Sequence, residues 1–342
     1  MEARRGISTG LLWLGFLGCS SDKPGGGPGG DDGARSWTMA DLGPGRCVAG
    51  NRHGDVLGSD ADGQPFVVHP DRTRTALGGF AAGATTVGVA ISARGEVVGY
   101  SDGPSGRTAI HTVDGQWVAI AGLSGTWSAA AGLDEDDRIV GVMGDGQVER
   151  HAFVVDRGGS VALPLPAGLA SAGYVAGSSA RVAGIVETAA GDTHAFVIAD
   201  GELRDLGTLG GEASAPLGIN ARGDVVGAAE TAAGARHAFV AALGGAMVDL
   251  GVPAGAVSSE ARGIDDHGRI VGNVYDASGM ARPVAFVPGA DPIALLPADE
   301  TTNPFVSAAV AAMSSDGGIA GWGVARDPRS GVVHCLRWTP GA

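Results

Sequence analysis

Histidine returns at one place in a recurring motif. His151, His194 and His237 each precede Ala-Phe-Val, and His334 precedes Cys-Leu; Gln64, Thr108 and Val284 are read at the same place in the remaining repeats. Imidazole at a fixed position raises the question of a metal, whose ligands must converge on one ion at about 2.0–2.3 Å. Side chains repeated in successive units are carried apart with those units and cannot converge in that way. The histidines are therefore expected to pack and to hydrogen-bond a neighbouring strand or turn, and His111, three residues beyond the equivalent position, has no special role. No metal and no cofactor is expected.

Other chemistry is sparse. The chain has no G-x-S-x-G elbow, phosphate loop, H-E-x-x-H or C-x-x-C. Asp60-Ala61-Asp62-Gly63 and Asp134-Glu135-Asp136-Asp137 lack the alternating acids of a calcium loop and read as solvated turns. On these grounds no catalytic residue is assigned and the chain is not expected to be an enzyme.

The N-terminal residues address the chain rather than fold with it. Arg4 and Arg5 precede an apolar run from Ile7 to Leu17. That run is too short for a bilayer, which takes about 20 residues, and suits a cleaved export signal. Phe16-Leu17-Gly18-Cys19-Ser20 reads as a lipobox, in which Cys19 takes the lipid. Residues 1–18 are thus expected to be a lipoprotein signal peptide. Residues 19–35, rich in Gly and Pro, form a lipidated tether with a reach of roughly 5–6 Å × √n. Ser20 in the next position suggests the outer membrane, at its periplasmic or surface face, or secretion where no lipid is attached. The formal net charge of the full sequence is −14, which disfavours polyanions, so no nucleic acid and no membrane contact beyond the lipid anchor is expected.

Residues 36–342 are built from repeats, which must be sought before any other feature. The Gly closing a V-V-G step recurs at Gly58, Gly99, Gly141, Gly184, Gly227, Gly272 and Gly321, defining seven units. The clearest runs Gly218-Ile219-Asn220-Ala221-Arg222-Gly223-Asp224-Val225-Val226-Gly227, then His237-Ala238-Phe239-Val240, then Met247-Val248-Asp249-Leu250-Gly251. Each unit reads as four short strands joined by Gly-bearing turns, the length of a propeller blade. Unit seven stops after its third strand, at His334 to Trp338. The missing fourth strand stands at the start, where Trp37-Thr38-Met39-Ala40-Asp41-Leu42-Gly43 aligns with Ala246 to Gly251. The fold expected is all-β, a seven-bladed β-propeller of four-stranded blades with the N-terminal strand closing the last blade. A parallel β-helix is the competitor, and its two ends would not meet.

The H-A-F segment, the D-L-G-T-L-G-G that follows His194-Ala195-Phe196, and the G-I-N-x-x-G-x-V-V-G between repeats resemble the extracellular HAF repeat family of bacteria, best between Val182 and Gly251. The resemblance implies export and repetition. It brings no defined activity and no catalytic residue.

Function then rests on surfaces. The first strands of the units are mostly small residues, with Thr86, Ser128, Ser214 and Ser259 at one register and few ionisable groups. The long or aromatic connections entering those strands supply candidate binding-loop residues: Trp127, Tyr174, Glu212, Glu260 and Phe305. Cys47 and Cys335 flank the expected closure in strands that are not adjacent, and whether they form a disulfide is open at this point. The expected function is a monomeric, envelope-anchored extracytoplasmic binding or scaffold module for a protein or glycan. The alternative is a hydrolase or lyase with an unrecognised site on the propeller axis, which acids, His and Arg gathered at that axis would favour.

Overall fold

A computed structural model describes residues 37–133, 137–145, 151–156, 159–162, 171–176, 181–188, 191–296, 303–326 and 332–340. The signal, Cys19, the tether and Asp134 to Asp136 lie outside the described residues. Every regular element among the described residues is a β-strand.

Strand formation follows the repeat. In Gly218 to Gly227, Ile219, Val225 and Val226 are buried on either side of a turn in which Asn220 Oδ1 accepts Arg222 N and Asp224 N, each at 3.0 Å. Gly223 closes that turn at φ +84°, a backbone angle that costs glycine little. The V-V-G glycine is demanded by close approach. A Cβ on Gly227 would stand 2.0 Å from the Ala215 carbonyl and 2.8 Å from the ring of the fully buried Phe239. In units three and five the Phe of the H-A-F segment, Phe153 or Phe239, thus fills the space that the glycine leaves open.

Within a unit the strands pair antiparallel in chain order. Units one, two, three and six are separate four-stranded sheets, while units four and five are linked through one parallel pairing, Thr193 with Ala213. The remaining sheet holds both ends of the chain. Trp37–Pro44 pairs antiparallel with Val333–Pro340, Thr38 facing Thr339 and Met39 facing Trp338, and Phe305–Met313 and Ile319–Ala325 complete it.

The first strands of the units are Arg46–Gly50, Thr85–Ile91, Trp127–Leu133, Ser171–Ala176, Gly210–Ile219, Ser258–Ile264 and Phe305–Met313. Each packs against the first strand of the next unit, and Phe305–Met313 packs back against Arg46–Gly50, so these strands form a closed circle. All seven carry a register shift at the same place, between Cys47 and Ala49 in unit one and between Ala261 and Gly263 in unit six, for example. The hydroxyls at the recurring register bind neighbouring units together. Ser214 Oγ accepts Ala195 N at 2.8 Å and donates to Gly207 O at 2.6 Å. Ser259 treats Ala238 N and Gly251 O in the same way.

The turns after the first strands are linked from unit to unit on the other face. His53 Nδ1 meets Ala93 O at 2.7 Å, Arg94 pairs with Asp137, and Arg181 donates to Ala221 O. Arg222 reaches Asp266 O, Arg269 reaches Asp316 O at 2.9 Å, and Arg337 reaches Gly54 O at 2.9 Å, carrying the sequence of contacts from unit seven to unit one.

Candidate functional site

Glu260 sits in the first strand of unit six, opposite Asn273, with 1% of its surface exposed. A carboxylate so deeply buried requires compensation, and four side chains provide it. Arg262 donates Nε to Oε1 at 2.7 Å, and Tyr275 donates its hydroxyl to the same oxygen at 2.6 Å. Asn273 adds Nδ2 at 3.3 Å, and Arg236, from the third strand of unit five, donates Nη2 to Oε2 at 2.9 Å. Asn273 also fixes the adjoining unit, donating to Val310 O and accepting Val310 N at 2.7 Å.

Burial by itself would raise the Glu260 pKa, but the Arg262 and Arg236 charges and the hydrogen bonds from Tyr275 and Arg262 hold it below the usual carboxylate range. Burial, and then the charge of Glu260, push the Tyr275 hydroxyl well above an ordinary phenol. For Arg262, burial opposes the charge and Glu260 outweighs it, so its pKa is raised. The carboxylate is therefore fixed as an anion and the phenol as a neutral donor.

The arc continues into unit one. Arg46 stands at the register of Glu260, since Cys47 pairs with Gly58 as Ala261 pairs with Gly272. Its guanidinium lies over the Trp322 ring, 4.2 Å from the centroid, a cation–π arrangement. Trp322 follows Gly321 as Asn273 follows Gly272, and so reaches the next unit from the matching position. Partial burial, then the Arg262 charge, lower the Arg46 pKa; with its surface exposed, Arg46 remains a cation. The first strands hold few ionisable groups, as expected: the acids and arginines in them are Arg46, Glu212, Glu260 and Arg262, of which Glu260 and Arg262 meet.

The other candidate residues lie in first strands rather than in loops. Trp127 opens its strand and packs partly buried against the core around Ala129, Leu133 and Phe153. Phe305 is 2% exposed, within the core containing Trp338. Glu212 is exposed, its backbone N donating to Glu230 at 3.4 Å, and does not join the Glu260 cluster. Tyr174 lies in Ser171–Ala176, and its side chain is outside the described residues. Cys47 and Cys335 are joined by a disulfide with Cα atoms 4.8 Å apart. Their strands do not pair, but packing of unit one against unit seven brings them within reach.

The histidines serve their own sheets. His194 Nδ1 meets Asp205 at 2.9 Å, His237 meets Asp249 at 2.9 Å and His334 meets Asp41 at 2.8 Å. Each aspartate also accepts the N–H of the glycine two residues on, Gly207, Gly251 or Gly43. In unit three Ala162 occupies the register position of Asp205 opposite the H-A-F phenylalanine, so His151 has no aspartate at the matching place. In unit six, pairing of Gly272 with Val284 puts Arg282 at the histidine position, which corrects the sequence alignment at Val284. Asp60 Oδ1 accepts the N–H groups of Asp62 and Gln64 within its own turn. A depression of about 120 Å³ between units seven and one, lined by Asn51, His53, Asp316 and Arg337, lies at the opposite ends of the first strands from Glu260. It is small beside the ~300–1,000 Å³ of typical ligand pockets.

No protein-family model matches the sequence, and curated proteins give no significant match. Solved structures do match. A virginiamycin B lyase from Staphylococcus aureus superposes with a TM-score of 0.57 at 11% identity, over 88% of this chain and 99% of the other. The β-propeller domain of the Trilobed protease from Pyrococcus furiosus gives 0.56 at 9% identity, over 84% and 91%. A streptogramin B lyase structure gives 0.54 at 11% identity, over 89% and 98%. At such identities the likeness is one of fold, and the fold is that of a β-propeller.

Proposed function

We propose that this chain is a seven-bladed β-propeller of four-stranded blades, closed by its N-terminal strand, which acts outside the cytoplasm as a monomeric binding or scaffold module. In this reading it belongs with the extracellular HAF repeats, is exported by residues 1–18 and is anchored to the outer membrane by a lipid on Cys19. Residues 19–35 hold the propeller away from the membrane, and the partner is a protein or glycan of the cell envelope.

The state of Glu260 carries the choice of binding over catalysis. General acid–base work needs a group whose pKa lies near the working pH. Glu260 is saturated with donors and displaced downwards, while Tyr275 is displaced upwards. Such a pair suits holding shape and charge better than exchanging protons. Affinity capture from envelope extracts on the full chain, purified in mild detergent, tests the reading. Retention of a defined protein or glycan that is released unaltered is expected. Chemical conversion of the captured ligand, abolished by Glu260→Gln, would replace the module with the enzyme.

A further inference from the structure

His69 stands where no other unit has an imidazole. One step beyond the pairing of Val56 with Val68, Asp55 comes opposite His69. The same place in the other units holds Val113, Asp156, Ala199, Ala242, Val287 and Thr339, so the sheet is built six times without a histidine there. Thr75 faces Val67, two residues before His69, which makes His69 and Thr75 diagonal neighbours on one face of the sheet. The turn between them is tight, His69 N donating to Thr73 O at 2.9 Å. Asp55 also borders the depression beside Asn51, so this group lies at the opposite ends of the strands from Glu260.

The three side chains form an unbroken line of hydrogen bonds. Asp55 Oδ1 meets His69 Nδ1 at 2.8 Å, and His69 Nε2 meets Thr75 Oγ1 at 3.1 Å. An ionised carboxylate only accepts, so Nδ1 carries the proton and Nε2 of the neutral ring accepts the Thr75 hydroxyl. Asp55 is itself fixed. Its Oδ2 accepts Asn51 Nδ2 at 2.9 Å, and the buried Asn51 donates also to Ser92 O at 2.8 Å. In unit five Asn220 holds Asp224 in the same way, but Asp224 then pairs with Arg222. Hydroxyl, base and orienting carboxylate, each within about 2.6–3.2 Å of the next, stand in the order that activates a nucleophile. Thr75 is exposed in Arg74–Ala76, the outer strand of its sheet, where a donor can reach it.

We propose that Thr75 is an acyl-acceptor site for activated esters. Its Oγ1 attacks the ester carbonyl carbon while His69 Nε2 takes the hydroxyl proton. The new carbon–Oγ1 bond forms, the bond to the departing alkoxide breaks, and the proton passes from Nε2 to that oxygen. Asp55 steadies the imidazolium in between. Thr75 is left as an O-acyl ester and His69 as the neutral ring. The chain is itself modified, one acyl group per chain, so the site lies beyond the binding-module reading and does not rest on it.

The probe is para-nitrophenyl acetate, added to the full chain in non-ionic detergent at neutral pH, with acetyl groups located by peptide mass spectrometry. Two residues act as internal controls. Thr73 is exposed nearby but donates its hydroxyl to Asp71, and Lys23 is the single lysine of the sequence. Acetylation of Thr75 well ahead of Thr73 is expected. His69→Gln should slow it about a hundredfold and leave acetylation of Lys23 unchanged. Thr75→Ser keeps the hydroxyl and should still be acetylated, whereas Thr75→Val should lose one equivalent of early nitrophenolate release. No acetyl group at Thr75, equal acetylation of Thr73, or a rate untouched by His69→Gln overturns the site. Nitrophenolate release that continues past one equivalent and is lost in Thr75→Val would retain Thr75 as the nucleophile and contradict the non-catalytic module.

Discussion

His334 and Asp41 share a 2.8 Å hydrogen bond although 293 positions separate them, whereas the same bond joins His194 to Asp205 and His237 to Asp249 across 11 and 12. The first strand of the chain thus occupies in the last sheet the place that a fourth strand takes elsewhere. The H-A-F and D-L-G motifs are the two halves of one contact. Where the histidine is absent, in units one, two and six, an alanine replaces the aspartate: Ala76, Ala119 and Ala294.

Deleting residues 36–43 should lower the denaturant midpoint markedly. Trp37 and Met39 pack partly buried on the core of Trp338 and Leu336, and Leu42 packs on that of Cys47 and Cys335. Full burial of such a side chain contributes about 1.5–3 kcal/mol, so partial burial of three still removes a large share of a stability of about 5–15 kcal/mol. The deletion also leaves Val333–Pro340 as an open edge prone to aggregation. Removing Ser21 to Ala34 from the tether should change neither midpoint nor aggregation. Urea titration with light scattering compares the two.

The oxidised chain should show no alkylatable thiol at Cys47 or Cys335 when denatured without reductant. Breaking that bond by Cys335→Ser should cost about 2–4 kcal/mol, because the cross-link spans a sequence separation of 288. Mass spectrometry of alkylated chain reads the first outcome and denaturant titration the second. Full alkylation at both positions would count against the bond.

Asp249→Ala removes the acceptor of both His237 and Gly251 N on a half-exposed edge. The loss should be about 0.5–1.5 kcal/mol. His151→Ala should be close to neutral, since no aspartate stands opposite it. Thermal or urea unfolding of the two variants separates a motif kept for its pairing from one kept for packing alone.

Glu260→Gln should cost about 3–5 kcal/mol at neutral pH, the range for removing one member of a buried ion pair. The folded carboxyl lies below its ordinary value of 4.5. Its contribution is therefore fully present above that value and is lost as the pH falls through the lower, folded pKa. The gap between wild type and variant should narrow steadily below about pH 4.5. Urea midpoints between pH 7 and pH 3 measure it, and a gap independent of pH would contradict the ionised state assigned to Glu260.

The repeat was legible because its period, its turn glycines and its displaced terminal strand are all local patterns that recur. Thr86, Ser128, Ser214 and Ser259 stand out as one register, though the links that Ser128, Ser214 and Ser259 make to the preceding unit required coordinates. The ionic cluster was largely hidden. In the sequence Glu260 reads as a loop residue, and Arg46, Arg236, Arg262, Tyr275 and Trp322 carry no signal of a site. They come from four units, and no shared motif links them. Laying the seven units on the V-V-G glycine would have exposed Arg46 and Glu260 as the two charged residues in a column of Val and Ala. That unit seven adjoins unit one is a long-range fact that no local pattern displays.

That joining is the claim on which the closed circle depends, and a cysteine pair tests it directly. Thr38 and Thr339 face each other in the shared sheet. In a Cys47→Ser, Cys335→Ser background, Thr38→Cys with Thr339→Cys should form an intramolecular disulfide under mild oxidation, seen as faster migration on non-reducing gels that reverts with reductant. A Thr38→Cys partner placed instead at Thr231, in the second strand of unit five, should not cross-link. Failure of Thr38 and Thr339 to cross-link in folded chain, or equal linking at Thr231, would mean that the two ends do not share a sheet.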